Sequence, residues 1–121
     1  MATHAIVIQW GRVIAGREQL SMATFLGAVE HFNALKGKKA IEDLRVYLAD
    51  QGNLGDLAGT MLIEGSKEQI DKVRESTDYK ILITKAYHLV DPLRVSLQIT
   101  GDEVPRRIEM LNNVRRELGI G

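Results

Sequence analysis

The chain has 121 residues, sixteen basic and sixteen acidic side chains, three histidines and no cysteine. The absence of cysteine excludes a disulfide framework, thiolate zinc sites, iron–sulfur clusters and a cysteine nucleophile. Balanced charge leaves no field to draw a phosphate backbone or an anionic membrane, and no stretch approaches the ~18 apolar residues of a membrane span. Met1-Ala2-Thr3-His4 is not a basic region followed by an apolar run. The expectation is a single soluble, cytoplasmic α+β domain over residues 1–121, with neither nucleic acid nor membrane as a partner.

Ala5-Ile6-Val7-Ile8-Gln9-Trp10 is short and β-branched and stops at Gly11, which predicts a buried first strand. Between residues 17 and 35, Met22, Phe25, Leu26, Val29 and Phe32 recur at helical spacing, and Gly37 supplies the stop. The cluster Lys36, Lys38 and Lys39 falls at the end of this helix, where it complements the helix dipole. Leu44, Val46 and Leu48 alternate with Asp43, Arg45 and Tyr47, the period of a strand with two unlike faces. Asp50-Gln51-Gly52-Asn53-Leu54-Gly55-Asp56 turns the chain into a third strand over residues 57–64, forming a hairpin.

Ser66 and Gln69 have the form of a capping box and open a helix carrying Ile70 and Val73. Ser76-Thr77-Asp78 offers a new cap, and Tyr79, Leu82, Ile83, Ala86, Leu89 and Val90 make a second stripe. After Asp91-Pro92, the apolar Leu93, Val95, Leu97 and Ile99 alternate with Arg94, Ser96, Gln98 and Thr100 to give a fourth strand, closed by Gly101. A last helix starts with Asp102 as cap and Pro105 in its first turn, its apolar side lined by Val104, Ile108, Leu111 and Leu118. The order β-α-β-β-α-β plus a C-terminal helix is that of a ferredoxin-like sheet with helices on one face.

The other face carries Arg45, Tyr47, Arg94, Ser96 and Gln98, which is polar yet richer in uncharged hydrogen-bonding groups than a solvated face. The first and third strands are apolar on both sides, as strands covered on both faces are. A second copy of the sheet laid over the first supplies that cover, so a homodimer is expected. Ala15-Gly16-Arg17-Glu18-Gln19, Glu64-Gly65-Ser66 and Ser76-Thr77-Asp78-Tyr79, in this order of elements, resemble the dimeric α/β-barrel superfamily over nearly the whole chain, and small bacterial members of unknown function most closely. The resemblance implies two sheets facing across a barrel, with a cavity in each subunit between sheet and helices.

No nucleophile elbow, His-Glu-x-x-His, Walker loop or dinucleotide glycine fingerprint is present. His31 and His88 lie opposite the apolar stripes of their helices and are expected to be exposed, while His4 begins the first strand without a partner at motif spacing. No metal site and no cofactor follow. The pocket-lining candidates are Trp10, Tyr47, Arg45, Glu64 and Gln98. Trp10 and Tyr47 join a large apolar body to a polar tip, with plain core packing as the alternative. Glu64 ends a buried-looking strand and is either an acid or base, or the partner of Arg45 or Arg94 in an ion pair. Three functions are open: a homodimer binding a small hydrophobic or aromatic ligand; an enzyme, which the resemblance implies would be a cofactor-independent monooxygenase, isomerase or cyclase acting on an aromatic or polyketide-like substrate; and an interaction domain.

Overall fold

The structure, a computed structural model, describes residues 1–52 and 55–120. Asn53 and Leu54 of the expected turn lie outside the described residues. The elements are β1 (His4–Val13), α1 (Glu18–Gly37), β2 (Asp43–Leu48), β3 (Gly59–Gly65), α2 (Lys67–Glu75), α3 (Thr77–Tyr87), β4 (Val90–Ile99) and α4 (Glu103–Glu117). The strands form one antiparallel sheet in the order β2-β3-β1-β4. No described helix is long and apolar enough to cross a membrane.

Register decides which side chains share a face, because residues paired across antiparallel strands point the same way. Ile6 pairs with Ile63 and Leu97, Ile8 with Met61 and Val95, and Trp10 with Gly59 and Leu93; Leu44 and Val46 continue the first two rows. These rows meet Ala28 and Phe32 of α1, Ile70 and Val73 of α2 and Tyr79 of α3 in one core. Phe32, Ile6, Ile63 and Ile70 are its most deeply enclosed side chains. On the opposite face, Ala5 and Val7 are also buried, in the middle of the sheet between β3 and β4.

The caps place the helical layer. Ser66 accepts from the Gln69 amide while the Gln69 side chain accepts from the Ser66 amide, a complete capping box. Ser76 both ends α2, donating to the Val73 carbonyl at 2.7 Å, and starts α3, accepting from the Tyr79 amide at 3.3 Å. The break expected at Ser76 is therefore real, and one hydroxyl serves both helices.

Three expectations are corrected. β1 does not stop at Gly11 but runs through it to Val13. Glycine is needed there because a Cβ would lie 2.4 Å from Cδ of Pro92 and 2.6 Å from the carbonyl oxygens of Asp56 and Asp91. On α1, Met22 and Leu26 are exposed, and the buried stripe is carried by Ala28 and Phe32 with Phe25 and Leu35 beside them. Asp102 precedes α4 without making a side-chain cap hydrogen bond. The expected apolar side of α4 is present, but none of its residues is buried.

Phe32→Ala is expected to lower the unfolding free energy by about 3–5 kcal/mol, the usual loss for a buried phenylalanine. Leu26→Ala, at a position 57% exposed, should stay within about 0.5 kcal/mol. Urea unfolding of both variants checks the corrected stripe.

Candidate functional site

Alternation along β1 puts Ile8 and Trp10 under the helices. α1 sets Ser21, Thr24, Phe25 and Ala28 above them, since a spacing of three or four keeps these positions on one helix face. Leu82, Ile83 and Ala86 of α3, with Met61 and Leu93 of the sheet, complete the wall. Between them is a cavity of about 80 Å³. Its wall is apolar apart from the Ser21 and Thr24 hydroxyls.

The position of Trp10 follows from Gly59, its cross-strand partner. A Cβ on Gly59 would fall 2.3 Å from Cζ2 of the indole, so the ring occupies the space that any other residue would fill. From there it meets Phe25 at a centroid distance of 5.8 Å and an interplanar angle of 58°, a tilted arrangement that aromatic pairs favour. Both rings are only half-buried.

Tyr47, Arg45, Glu64 and Gln98 lie on the opposite face of the sheet. In register, Gln98 stands beside Ala5, Glu64 and Asp43; Ser96 beside Val7, Leu62 and Arg45; and Arg94 beside Gln9, Thr60 and Tyr47. The sheet thus separates Trp10 from the other four candidates, and no single cavity within the protomer is shared by all five. Alternation alone could not assign the face of Trp10, because β1 is apolar on both sides.

Arg45 organises the polar face. Its Nε lies 3.0 Å from Glu64 Oε1 and 3.3 Å from Asp43 Oδ2, and Lys36 Nζ reaches Asp43 Oδ1 at 2.9 Å from the last turn of α1. Glu64 is therefore the ion-pair partner of Arg45, while Arg94 turns to Asp56 at 3.2 Å. The Lys36 ammonium, with the Leu44 amide and Arg45, holds the Asp43 carboxyl below the usual carboxylate range. Tyr47, Asp43 and Glu64 together push Arg45 further toward its charged form. Gln98 donates to the Ser96 hydroxyl at 3.3 Å.

The histidines divide differently from expectation. His88 is exposed after α3, and its carbonyl accepts from Arg17. His31 is half-buried: it packs edge-on against Phe32 with centroids 5.2 Å apart, and its Nε2 is enclosed without a hydrogen-bond partner among the described residues. It lines a groove of about 730 Å³ between α1 and α3, whose walls include Ala23, Gly27, Ile81 and Lys85. The opposite-the-stripe argument missed this because the true buried stripe runs through Ala28 and Phe32, which brings His31 to its flank. Among the described residues, no group of three or more His, Asp or Glu is placed to hold a metal ion.

No family model matches the chain, and no curated protein does. Solved structures do. A conserved protein from Methanosarcina mazei Go1 is similar at 20% identity and a TM-score of 0.55, covering 81% of this chain and 91% of that one. A dimeric protein of unknown function and ferredoxin-like fold from Bacteroides fragilis NCTC 9343 matches at 11% identity and a TM-score of 0.54, covering 80% and 96%. An ethyl tert-butyl ether D (EthD) family protein from Bacillus halodurans C-125 matches at 12% identity and a TM-score of 0.55, covering 84% and 99%. The fold is ferredoxin-like, as the order of elements led us to expect.

A depressed carboxyl such as Asp43 adds stability that is present above the unfolded aspartate value of about 3.9 and is lost as pH falls through the lower folded value. Asp43→Asn should therefore flatten the acid limb of a plot of urea midpoint against pH while leaving its neutral-to-alkaline part parallel to the wild type. An unchanged acid limb would show that the Lys36 and Arg45 contacts do not persist in solution.

Proposed function

We propose that the protein is a homodimer whose sheet faces stack on one another, and that each subunit binds a small apolar ligand in the cavity beside Trp10. The observation that carries the ligand reading is the cavity itself: an apolar wall with two hydroxyls is the usual composition of a small-molecule site. Volume narrows the ligand class. A cavity of about 150 Å³ accepts a benzene ring, so the 80 Å³ here suits a short aliphatic chain directly. An aromatic ligand requires Phe25 or Trp10 to swing aside, which their half-buried positions permit.

Surface area supports the homodimer. A compact monomer of 13.5 kDa exposes about 6,500 Å², whereas this chain exposes 8281 Å². The excess of about 1,800 Å² per protomer is of the size that obligate homodimers remove from water. Zero net charge lets two copies approach without long-range repulsion, and the neighbour from Bacteroides fragilis is dimeric.

The binding role is preferred to the enzymatic one on the chemistry of the wall. Proton transfer calls for a carboxylate, imidazole, amine or phenol within hydrogen-bond reach of the substrate. The residues around the cavity supply two hydroxyls and no such group.

Trp10 is the sole tryptophan, so its fluorescence reports on the cavity without labelling. Propane, which is smaller than benzene, and toluene are the probes. Saturable spectral shifts are expected for the wild type, abolished by Ala86→Leu, which fills the wall, and native mass spectrometry is expected to give a dimer. A linear, unsaturable response that Ala86→Leu leaves unchanged overturns the ligand reading; a monomeric mass at micromolar concentration overturns the homodimer. Gly59→Ala should cost about 1–3 kcal/mol by overpacking and should shift the Trp10 emission even without a probe.

A further inference from the structure

We propose that α4 is an intermolecular arm that lays its apolar stripe on a second copy of this chain; this rests on the homodimer reading and names an element of its interface. Val104, Ile108, Leu111, Val114 and Leu118 recur at spacings of three, four and seven, so they lie along one side of α4. Each is between 37% and 67% exposed. The other described helices all bury at least one residue in the core; α4 buries none. A helix of 15 residues is marginal alone in water, and in proteins its order comes from packing of an amphipathic face. A bare amphipathic helix therefore calls for cover from outside the protomer.

The magnitude of the excess surface supports α4 as part of the contact. Four strands about 4.8 Å apart, each presenting about 20 Å of length, give a sheet footprint of about 400 Å². Doubling this for side-chain relief still leaves about 1,000 Å² of the excess uncovered. α4 carries five of the exposed large apolar side chains, Met110 included, and Leu118 and Ile120 directly after it make seven, more than any other described element has. It is the surface best able to make up the difference.

The occupant is a second copy because the uncovered surface is of the size that the second protomer of an obligate homodimer removes from water, and a two-fold axis lays the same apolar stripe of each copy on the other. The charges flanking the stripe do not oppose this: Glu103 is paired within its own helix with Arg106 and Arg107.

The test uses the full-length chain, with sedimentation equilibrium for mass and hydrogen exchange for α4. The α4 amides are expected to gain protection with rising protein concentration over the range in which monomer becomes dimer. Leu111→Glu should weaken dimerisation by about 30-fold or more, the scale of a hot-spot residue. Glu109→Gln, on the far side of the helix, should not change it. Both positions are exposed in the protomer, so neither variant disturbs the core, and an unchanged tryptophan spectrum checks this. A dimer that forms with α4 unprotected and is indifferent to Leu111→Glu overturns the arm and leaves the stacked sheets standing. A monomer at every concentration overturns both, and α4 protection that is independent of concentration assigns the cover to its own protomer and overturns the arm alone.

Discussion

β1 is hydrogen-bonded on both sides, and everything else is arranged around what that requires. A central strand has no edge to expose, so its side chains can only go up into the helices or down toward the other face, alternating residue by residue. Upward go Ile6, Ile8 and Trp10; downward go Ala5 and Val7. The upward set draws α1, α2 and α3 into one layer through Phe32, Ile70, Val73 and Tyr79. A slip of one residue would exchange the two sets and put Trp10 among the polar rows. Gly59 opposes such a slip, since it is the residue beside β1 whose missing side chain admits the indole.

Trp10 ends the upward set, at the point where the helical layer thins. Ile8 lies nearly fully enclosed, while Trp10 and Phe25 are half-open to solvent. The cavity lies at this transition, flanked by a rigid core on one side and by two large rings with room to move on the other. The polar face is different in kind. Its charges neutralise one another through Arg45, Asp43, Glu64 and Lys36, so it presents a paired surface and not a set of free catalytic groups.

Most of the fold was legible in the sequence because its signals are local. Alternation marked β2 and β4, Ser66 and Gln69 marked the start of α2, and Ser76 marked the break before α3, each a matter of neighbouring backbone groups finding partners. The candidate site was legible only in part. Trp10 stood out as an amphipathic ring, yet its face is set by pairing with Gly59 across strands 49 residues apart in sequence. Met22 and Leu26 fit the helical period as well as Phe32 does, but the sheet beneath α1 is narrow and covers one side of that stripe. Gly11 looked like a terminator, whereas its role is to let three backbone segments come together. The bare stripe of α4 was read correctly as apolar; what the sequence lacked was any sign that the protomer has nothing to place over it.

The meeting of segments at Gly11 has a mechanical consequence. Pro92 and Asp91 of β4 and the Asp56 carbonyl close on this glycine, and the neighbouring Ala58 amide donates to the Trp10 carbonyl at 2.7 Å. The β2–β3 connection is thereby clamped to the strand that carries the cavity's main ring, one residue away. The backbone of Trp10, though not its ring, is then held by a loop that contributes no wall to the cavity. A single missing methyl group at Gly11 is what lets these segments close on one another beside Trp10.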